Sequence, residues 1–151
     1  MKRCAFCPTE PNKLTGEHIW DDWLNRELPT KHYKARHRPS LGGPTYEWTA
    51  TELQQTVKAV CAECNSTWMS RLSDSFRNGF RHPLLNGSRF CILPSGLALL
   101  SAYVFLKAAA VDYVYPDVEP FFTRAERENF RLSLAIPSYV QGCETAIYGY
   151  T

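Results

Sequence analysis

Two Cys-x-x-Cys pairs carry the clearest chemical signal in the sequence. Cys4 and Cys7 form one pair near the N-terminus, and Cys61 and Cys64 form the other. Thiolates are soft ligands that hold zinc tetrahedrally, and a two-residue spacer lets both sulfurs of a pair face one ion. The sequence therefore predicts one structural zinc ion bound by all four cysteines. Four unrelated buried thiols and a redox pair are the less favoured alternatives.

The 53 residues between the two pairs are more than a simple zinc finger allows, and they contain polar side chains suited to hydrolysis. Residues 14–20 (LTGEHIW) place the acid Glu17 beside His18, and Asn65 directly follows the second pair. Imidazole accepts protons near neutral pH, and side-chain oxygens bind hard cations such as Mg²⁺. Taken alone, His18 is more typical of a partly buried, satisfied imidazole, and Asn65 is consistent with a residue that satisfies backbone groups at a helix start.

Together with the flanking cysteine pairs, these residues resemble the HNH endonuclease family, in the subgroup where paired cysteines flank a ββα-metal core. The resemblance covers residues 4–76. It implies that His18 is the general base that takes a proton from the attacking water, and that Glu17 and Asn65 bind a catalytic Mg²⁺ or Mn²⁺ ion. Thr56 replaces the middle asparagine, which normally orients the catalytic histidine through a hydrogen bond. Asn65 replaces the more usual final histidine.

Positive charge is concentrated in the half of the chain that contains the cysteine pairs. The net charge is +2, with 13 Lys and Arg against 9 Asp and Glu in residues 1–90, and 4 against 6 in residues 91–151. The densest basic stretch, 31–38, is suited to neutralising phosphates, although charge alone favours a solvated loop. We predict contacts to DNA, with RNA as the alternative, by six cations: Lys31, Lys34, Arg36, Arg38, Lys58 and Arg71.

Neither the N-terminus nor the longest apolar run favours export or membrane insertion. The N-terminus has two positive charges with no apolar run behind them, so a secretory signal is not expected. The apolar run 97–111 is interrupted by Lys107 and is shorter than the ~20 residues that span a bilayer. We therefore predict a cytoplasmic protein with no membrane partner, in which the cysteines stay reduced.

The elements around the polar residues are predicted from periodicity and turn signals. A short helix is expected from Asp21 to Pro29, followed by a basic surface loop over 30–45. Trp20 and Trp68 are expected in the core rather than as surfaces for base stacking. A knuckle and a short strand are expected within residues 1–16, with Leu14 and Thr15 leading toward residues 17–19, and further short strands are expected over 48–51 and 56–60.

The second half of the chain has a helical pattern. Apolar residues recur every four positions after the second cysteine pair, at Trp68, Leu72 and Phe76, which predicts a helix with one buried stripe. A break is expected at Gly79, Pro83 and Gly87. Ser95 is predicted to cap a helix over 96–112, and Thr123 with Glu126 to form a capping box for a third helix that ends at residue 130 or 131.

These expectations combine into an α+β fold. A zinc-stapled ββα-metal (treble-clef-like) HNH core over 1–85 would precede a mainly helical part over 86–151, with a strand-like ending at 145–151 that is typical of a truncated chain. Cys91 and Cys143 are expected to be small core residues. The favoured function is a metal-dependent DNA endonuclease. The alternatives are a non-catalytic zinc module with a decayed site, and a partner-binding or oligomerisation role for the C-terminal half.

Overall fold

The chain has an α+β fold, as the sequence predicts, and pairs of short antiparallel strands precede most of the helices. The computed structural model describes residues 3–28, 33–37, 45–50, 55–87, 90–114 and 118–134. Strand β1, Thr15–His18, pairs with β4, Thr56–Val60, and strand β2, Tyr33–His37, pairs with β3, Tyr46–Ala50. The strands expected over 48–51 and 56–60 are confirmed close to their predicted positions, whereas the first strand, expected within residues 1–16, begins only at Thr15.

Strand β2 lies where the sequence predicted only a basic surface loop, so that prediction is wrong for residues 33–37. Lys34 and Arg36 are exposed, and they point the same way because alternate residues of a strand share a face. Arg36 Nε donates to Glu47 Oε1 on β3 at 2.6 Å. Tyr33 is the only large apolar residue in this strand, and the density of Lys, Arg and His around it is more typical of a loop.

Helix α1, Asp22–Glu27, forms where a short helix was expected after β1. A longer helical run then follows β4 directly. It consists of α2, Ala62–Cys64, a π-helical segment, Asn65–Met69, and α3, Ser70–Asn86. Leu72 and Phe76 are buried along this run, which confirms the predicted apolar stripe.

Helix α3 continues through Gly79 and Pro83, so the break predicted at these two residues is wrong. Phe76 and Phe80 are buried on either side of Gly79, and their rings stack with centroids 5.0 Å apart. Tertiary packing of this kind supplies most of a helix's stability and overrides weak local helix formers. The run ends at Gly87, whose φ of 61° is a left-handed conformation that glycine adopts without steric cost.

Two further helices complete the described part of the chain. Helix α4, Pro94–Val111, begins one residue before the predicted cap Ser95, because Leu93 is the extended residue before the helix and Pro94 occupies the first helical position. Helix α5, Arg124–Ser133, has the predicted capping box. Thr123 Oγ1 accepts from the Glu126 backbone at 3.3 Å, and the Thr123 N–H donates to the Glu126 carboxylate at 2.6 Å.

The main core contains residues from both halves of the sequence. Trp68 packs edge-on against Phe6 and Phe130, with ring centroids 5.4 Å and 5.9 Å away, and Phe105 on α4 lies 4.5 Å from Phe130. The N-terminal turn, the helical run, α4 and α5 thus share one apolar cluster. The predicted domain boundary between residues 85 and 86 stays a prediction.

By length and composition alone, α4 is apolar enough to cross a membrane, with a mean hydropathy of 1.5 over its 18 residues. In the structure it buries several residues against the other elements: Ala102, Tyr103, Phe105, Leu106, Ala109 and Ala110. The core helix of a globular protein shows the same composition.

Three expectations about single residues have definite outcomes. Trp68 is packed against the core as predicted, whereas Trp20 is 49% exposed, so the prediction for Trp20 is wrong. Cys91 is also exposed rather than buried, because it precedes α4 outside the apolar cluster. Cys143 and the strand-like stretch 145–151 lie outside the described residues.

Candidate metal centre and adjoining cavity

The two cysteine pairs meet at the base of the β1–β4 strand pair. Cys4 and Cys7 lie on the turn before β1, and Cys61 and Cys64 lie at the start of the helical run that follows β4. All four side chains are buried, and their sulfur atoms lie within 4.8 Å of one another. Residues separated by more than fifty positions are therefore brought to one point, as the sequence predicts.

The spacing of the sulfur atoms fits a tetrahedral metal ion. The Sγ atoms of Cys7 and Cys61 are 3.7 Å apart, and an ion bound ~2.3 Å from each of four sulfurs separates them by ~3.8 Å. Two backbone N–H groups point at sulfur atoms, from Cys61 to Cys4 at 3.3 Å and from Cys64 to Cys61 at 3.4 Å. Such donors favour the thiolate form that a metal requires.

A buried indole points to the same conclusion. Trp68 Nε1 is buried and has no hydrogen-bond partner in the described part of the chain. Burial raises the pKa of the Cys64 thiol, and the Trp68 N–H opposes that rise because it favours the thiolate. An N–H without another partner beside a cysteine is thus available to a metal-bound thiolate.

The thiols differ in how readily they lose a proton. Burial raises the pKa of Cys4. Burial acts in the same direction on Cys7, but hydrogen bonds from Thr9 and the neighbouring thiols outweigh it and lower that pKa to about 7. The cluster as a whole is geometrically suited to a metal ion such as zinc.

A cavity of about 470 Å³ opens beside β1, next to the cysteine cluster. Its lining includes all three residues that the family resemblance assigns to base catalysis and divalent-ion binding: Glu17, His18 and Asn65. Glu17 and His18 come from β1, and Asn65 comes from the first residue of the π-helical segment. The polar residues predicted to act together therefore line one cavity.

Asn65 ties the helical run to β1. Its Nδ2 donates to the Gly16 carbonyl at 2.9 Å and to Thr15 Oγ1 at 3.2 Å. Because a carbonyl can only accept, Gly16 fixes which end of the amide faces the strand. The side-chain oxygen of Asn65 remains as the acceptor end of the amide.

Thr56 lies directly opposite His18 in the β1–β4 pair. Side chains of directly paired residues in an antiparallel sheet extend on the same face. Thr56 is exposed, and its Cβ lies 3.6 Å from the point where Gly16 would carry a side chain. The register thus places Thr56 beside the histidine that the family's middle residue normally orients.

Glu17 is buried and paired with a cation from the second half of the chain. Its Oε1 accepts from Lys107 Nζ at 2.7 Å, and the same ammonium donates to the His18 carbonyl at 2.8 Å. Lys107 also lies 2.5 Å from Oδ1 of the buried Asp21. Glu17 is therefore held by a lysine as well as being accessible to the cavity.

Sequence reasoning missed Asp21 and Lys107 as members of this site. One signal was visible, since Lys107 is a single cation in an otherwise apolar helix, and a charge at such a position needs a buried partner. The identity of the partners was not visible, because Glu17 precedes Lys107 by 90 positions.

Two cations line the cavity itself, Arg26 on α1 and Arg77 on α3. Arg26 lies 3.3 Å from Asp22, and Arg77 lies 3.7 Å from Glu27. The Arg26–Asp22 pair is exposed and the Arg77–Glu27 pair is half-buried at a longer distance, so either guanidinium can exchange its carboxylate for another anion.

Of the six cations predicted to contact nucleic acid, four are described and each is exposed: Lys34, Arg36, Lys58 and Arg71. Lys34 and Arg36 are on β2, Lys58 is on β4 and Arg71 is on α3. Arg71 lines a second, apolar groove rather than the cavity beside β1. Lys31 and Arg38 lie outside the described residues.

Comparison with known proteins returned no family, curated protein or solved structure that matches this chain significantly.

Proposed function

We propose that the protein is a metal-dependent endonuclease of the HNH type, which hydrolyses phosphodiester bonds in DNA. One observation carries the proposal: Glu17, His18 and Asn65 line a single cavity beside the four-cysteine cluster. The cavity lies beside β1, which pairs antiparallel with β4, and the helical run that supplies Asn65 follows β4 directly; α1, β2 and β3 lie between the two strands in the sequence.

His18 is the proposed general base. At the end of β1 it lines the cavity, and an imidazole near neutral pH can take the proton of a water molecule as its oxygen attacks phosphorus. Thr56, opposite His18, is the proposed orienting residue. Glu17 and Asn65 each offer an oxygen to a divalent ion, and a bound Mg²⁺ or Mn²⁺ supplies stabilisation of negative charge on the phosphate and leaving oxygen.

Zinc is the proposed metal of the cysteine cluster. Four thiolates in a closed tetrahedral set are typical of structural zinc, which leaves no open position for chemistry. The cluster joins the N-terminal turn to the start of the helical run, so zinc would hold β1 and Asn65 in their relative positions.

Arg26 and Arg77 support a substrate that carries phosphates, because both line the cavity and their carboxylate partners lie 3.3 Å and 3.7 Å away. A guanidinium offers two parallel N–H groups to phosphate oxygens. Lys34, Arg36, Lys58 and Arg71 would act further along the duplex, together with Lys31 and Arg38 of the basic stretch.

Nicking of supercoiled plasmid tests the proposal. We expect zinc-loaded wild-type protein to nick when Mg²⁺ or Mn²⁺ is added and not in their absence. Asn65→Ala should slow nicking at least about tenfold, since it removes one metal ligand and the tie to Gly16. Asn78→Ala, at an exposed position on α3, is the matched control and should nick as fast as wild type.

A non-catalytic zinc module that binds nucleic acid is the second candidate. The observation in its favour is that Lys107 already neutralises Glu17, the acid that would hold the catalytic ion. On this reading, well-folded wild-type protein would retain plasmid in a gel-shift measurement. It would not nick the plasmid, whichever divalent metal is added. That result would overturn the endonuclease proposal and support the binding module.

A further inference from the structure

Lys107 of α4 makes three contacts that match the donors of its ammonium group. Nζ lies 2.7 Å from Glu17 Oε1, 2.5 Å from Asp21 Oδ1 and 2.8 Å from the His18 carbonyl. A lysine ammonium has three N–H groups and no acceptor, so these three oxygens account for all of them. The side chain is 11% exposed, which makes this a built, largely desolvated contact.

Asp21 is fixed by other groups as well. Its Oδ2 accepts from Tyr103 OH at 3.1 Å and from the Trp23 indole at 3.3 Å, and its Oδ1 lies 3.4 Å from Ser73 Oγ. The carboxylate is therefore held in place by α1, α3 and α4 together. Like Glu17, it lines the cavity that contains His18.

Two buried carboxylates that share one ammonium can bind a divalent cation instead when the ammonium is removed. Oxygen ligands from two acids form an attractive site for Mg²⁺ or Mn²⁺ when no other cation neutralises them. Lys107 is the cation that neutralises Asp21 and one oxygen of Glu17. It also fixes the main chain of His18, which is the general base in the proposed function.

We infer that Lys107 is a positioning residue of the proposed nuclease site, which orients Glu17 and His18 and prevents the Glu17–Asp21 pair from capturing a divalent ion unproductively. This inference rests on the proposed function. It also gives the C-terminal half a role, because α4 supplies a residue that the cavity beside β1 requires.

Replacing Lys107 by methionine separates positioning from general structural damage. Lys107→Met keeps an unbranched, apolar side chain that is one atom shorter, and removes the ammonium. We expect Mn²⁺, measured by loss of the free-ion electron paramagnetic resonance signal, to bind at least about tenfold more tightly, because a positive charge has left the two carboxylates. The nicking rate should fall about 100-fold, because the reacting groups lose their alignment. Structural damage alone would weaken both properties.

Two further variants distinguish charge from geometry. Lys107→Arg keeps the charge, but its planar guanidinium cannot direct three N–H groups from one nitrogen, so Mn²⁺ affinity should stay near the wild-type value while nicking slows. The double variant Lys107→Met with Asp21→Asn has the wild-type net charge in the cavity. It should recover wild-type Mn²⁺ affinity and nick slowly, and it serves in place of Lys107→Met if the single variant does not fold.

Lys13→Met, at an exposed position, is the control and should match wild type in both measurements. The inference is overturned if the double variant nicks at the wild-type rate, or if Lys107→Met binds Mn²⁺ no more tightly than wild type. A wild-type protein that never nicks overturns the proposed function instead. In that case, the Mn²⁺ affinities of wild type and Lys107→Met alone show whether Lys107 prevents the two carboxylates from capturing a divalent ion.

Discussion

Arg127, near the end of the described chain, donates from Nε to the carbonyl of Ala5 at 3.0 Å, between the first two cysteines. Its other end donates to the Phe122 carbonyl and lies over the Tyr113 ring, 5.2 Å from the centroid. One turn earlier, Arg124 donates to the Cys7 carbonyl at 3.0 Å. Helix α5 thus holds the turn that presents half of the metal ligands.

Removing this contact should destabilise the fold. Arg127→Met leaves two buried carbonyls without their donor, and each such loss costs about 1–3 kcal/mol. We expect the free energy of unfolding in urea to fall by about 3 kcal/mol. Arg131→Met, on the same helix but less buried, is the control and should change it by less than about 1 kcal/mol. Equal losses in the two variants would show that the contact with Ala5 is not important.

Loss of a metal ligand should unfold the region around the strands. Cys61→Ser removes one thiolate, and structural zinc contributes about 10 kcal/mol or more of apparent folding free energy. We expect zinc content to fall to near zero and the near-ultraviolet circular dichroism of the packed aromatic residues to collapse. Cys91→Ser, which replaces an exposed thiol, should retain one zinc per chain. A fully folded, zinc-free Cys61→Ser protein would contradict a structural role for the metal.

Zinc retention should depend on the indole N–H beside the cluster. Trp68→Phe keeps an aromatic ring between Phe6 and Phe130 but removes the donor next to Cys64. Loss of such an outer contact weakens metal binding by about 10–100-fold. Competition with a chromogenic chelator should therefore show faster zinc transfer from this variant. Trp20→Phe alters an exposed indole and should transfer zinc at the wild-type rate.

Zinc binding should weaken as the pH falls. Burial raises the pKa of Cys4 and of Cys64, so both thiols hold their protons in the metal-free protein and must release them when the ion binds. Protons therefore compete with zinc, and the competition becomes stronger at lower pH. We expect chelator-accessible zinc to increase steadily from pH 8 to pH 5. An occupancy that does not change over this range would argue against thiolate ligands.

The parts of the site that depend on local spacing were predictable from the sequence. The four cysteines come in pairs that each define a turn, and the helix after Cys64 has a four-residue apolar repeat, so both were identified without tertiary information. The capping box at Thr123 is similarly local. These signals do not depend on which elements later pack together.

The parts that depend on tertiary contacts were not predictable. Lys107 meets Glu17 and Asp21 only because α4 packs beside β1, and no pattern in the sequence encodes that pairing. Gly79 and Pro83 weaken a helix locally, yet the packing of Phe80 and its neighbours carries α3 past them. Strand β2 was missed for a related reason, since its pairing with β3 leaves charged residues exposed.

The most direct test of the proposed function is the rate constant for plasmid nicking by His18→Ala relative to wild type, at equal zinc content and saturating Mg²⁺ or Mn²⁺. General-base catalysis contributes about 10²–10⁴-fold, so we expect a loss of that size. His82→Ala, which replaces an exposed histidine on α3, should nick at the wild-type rate. Equal rate constants for His18→Ala and wild type would contradict the role of His18 as the base.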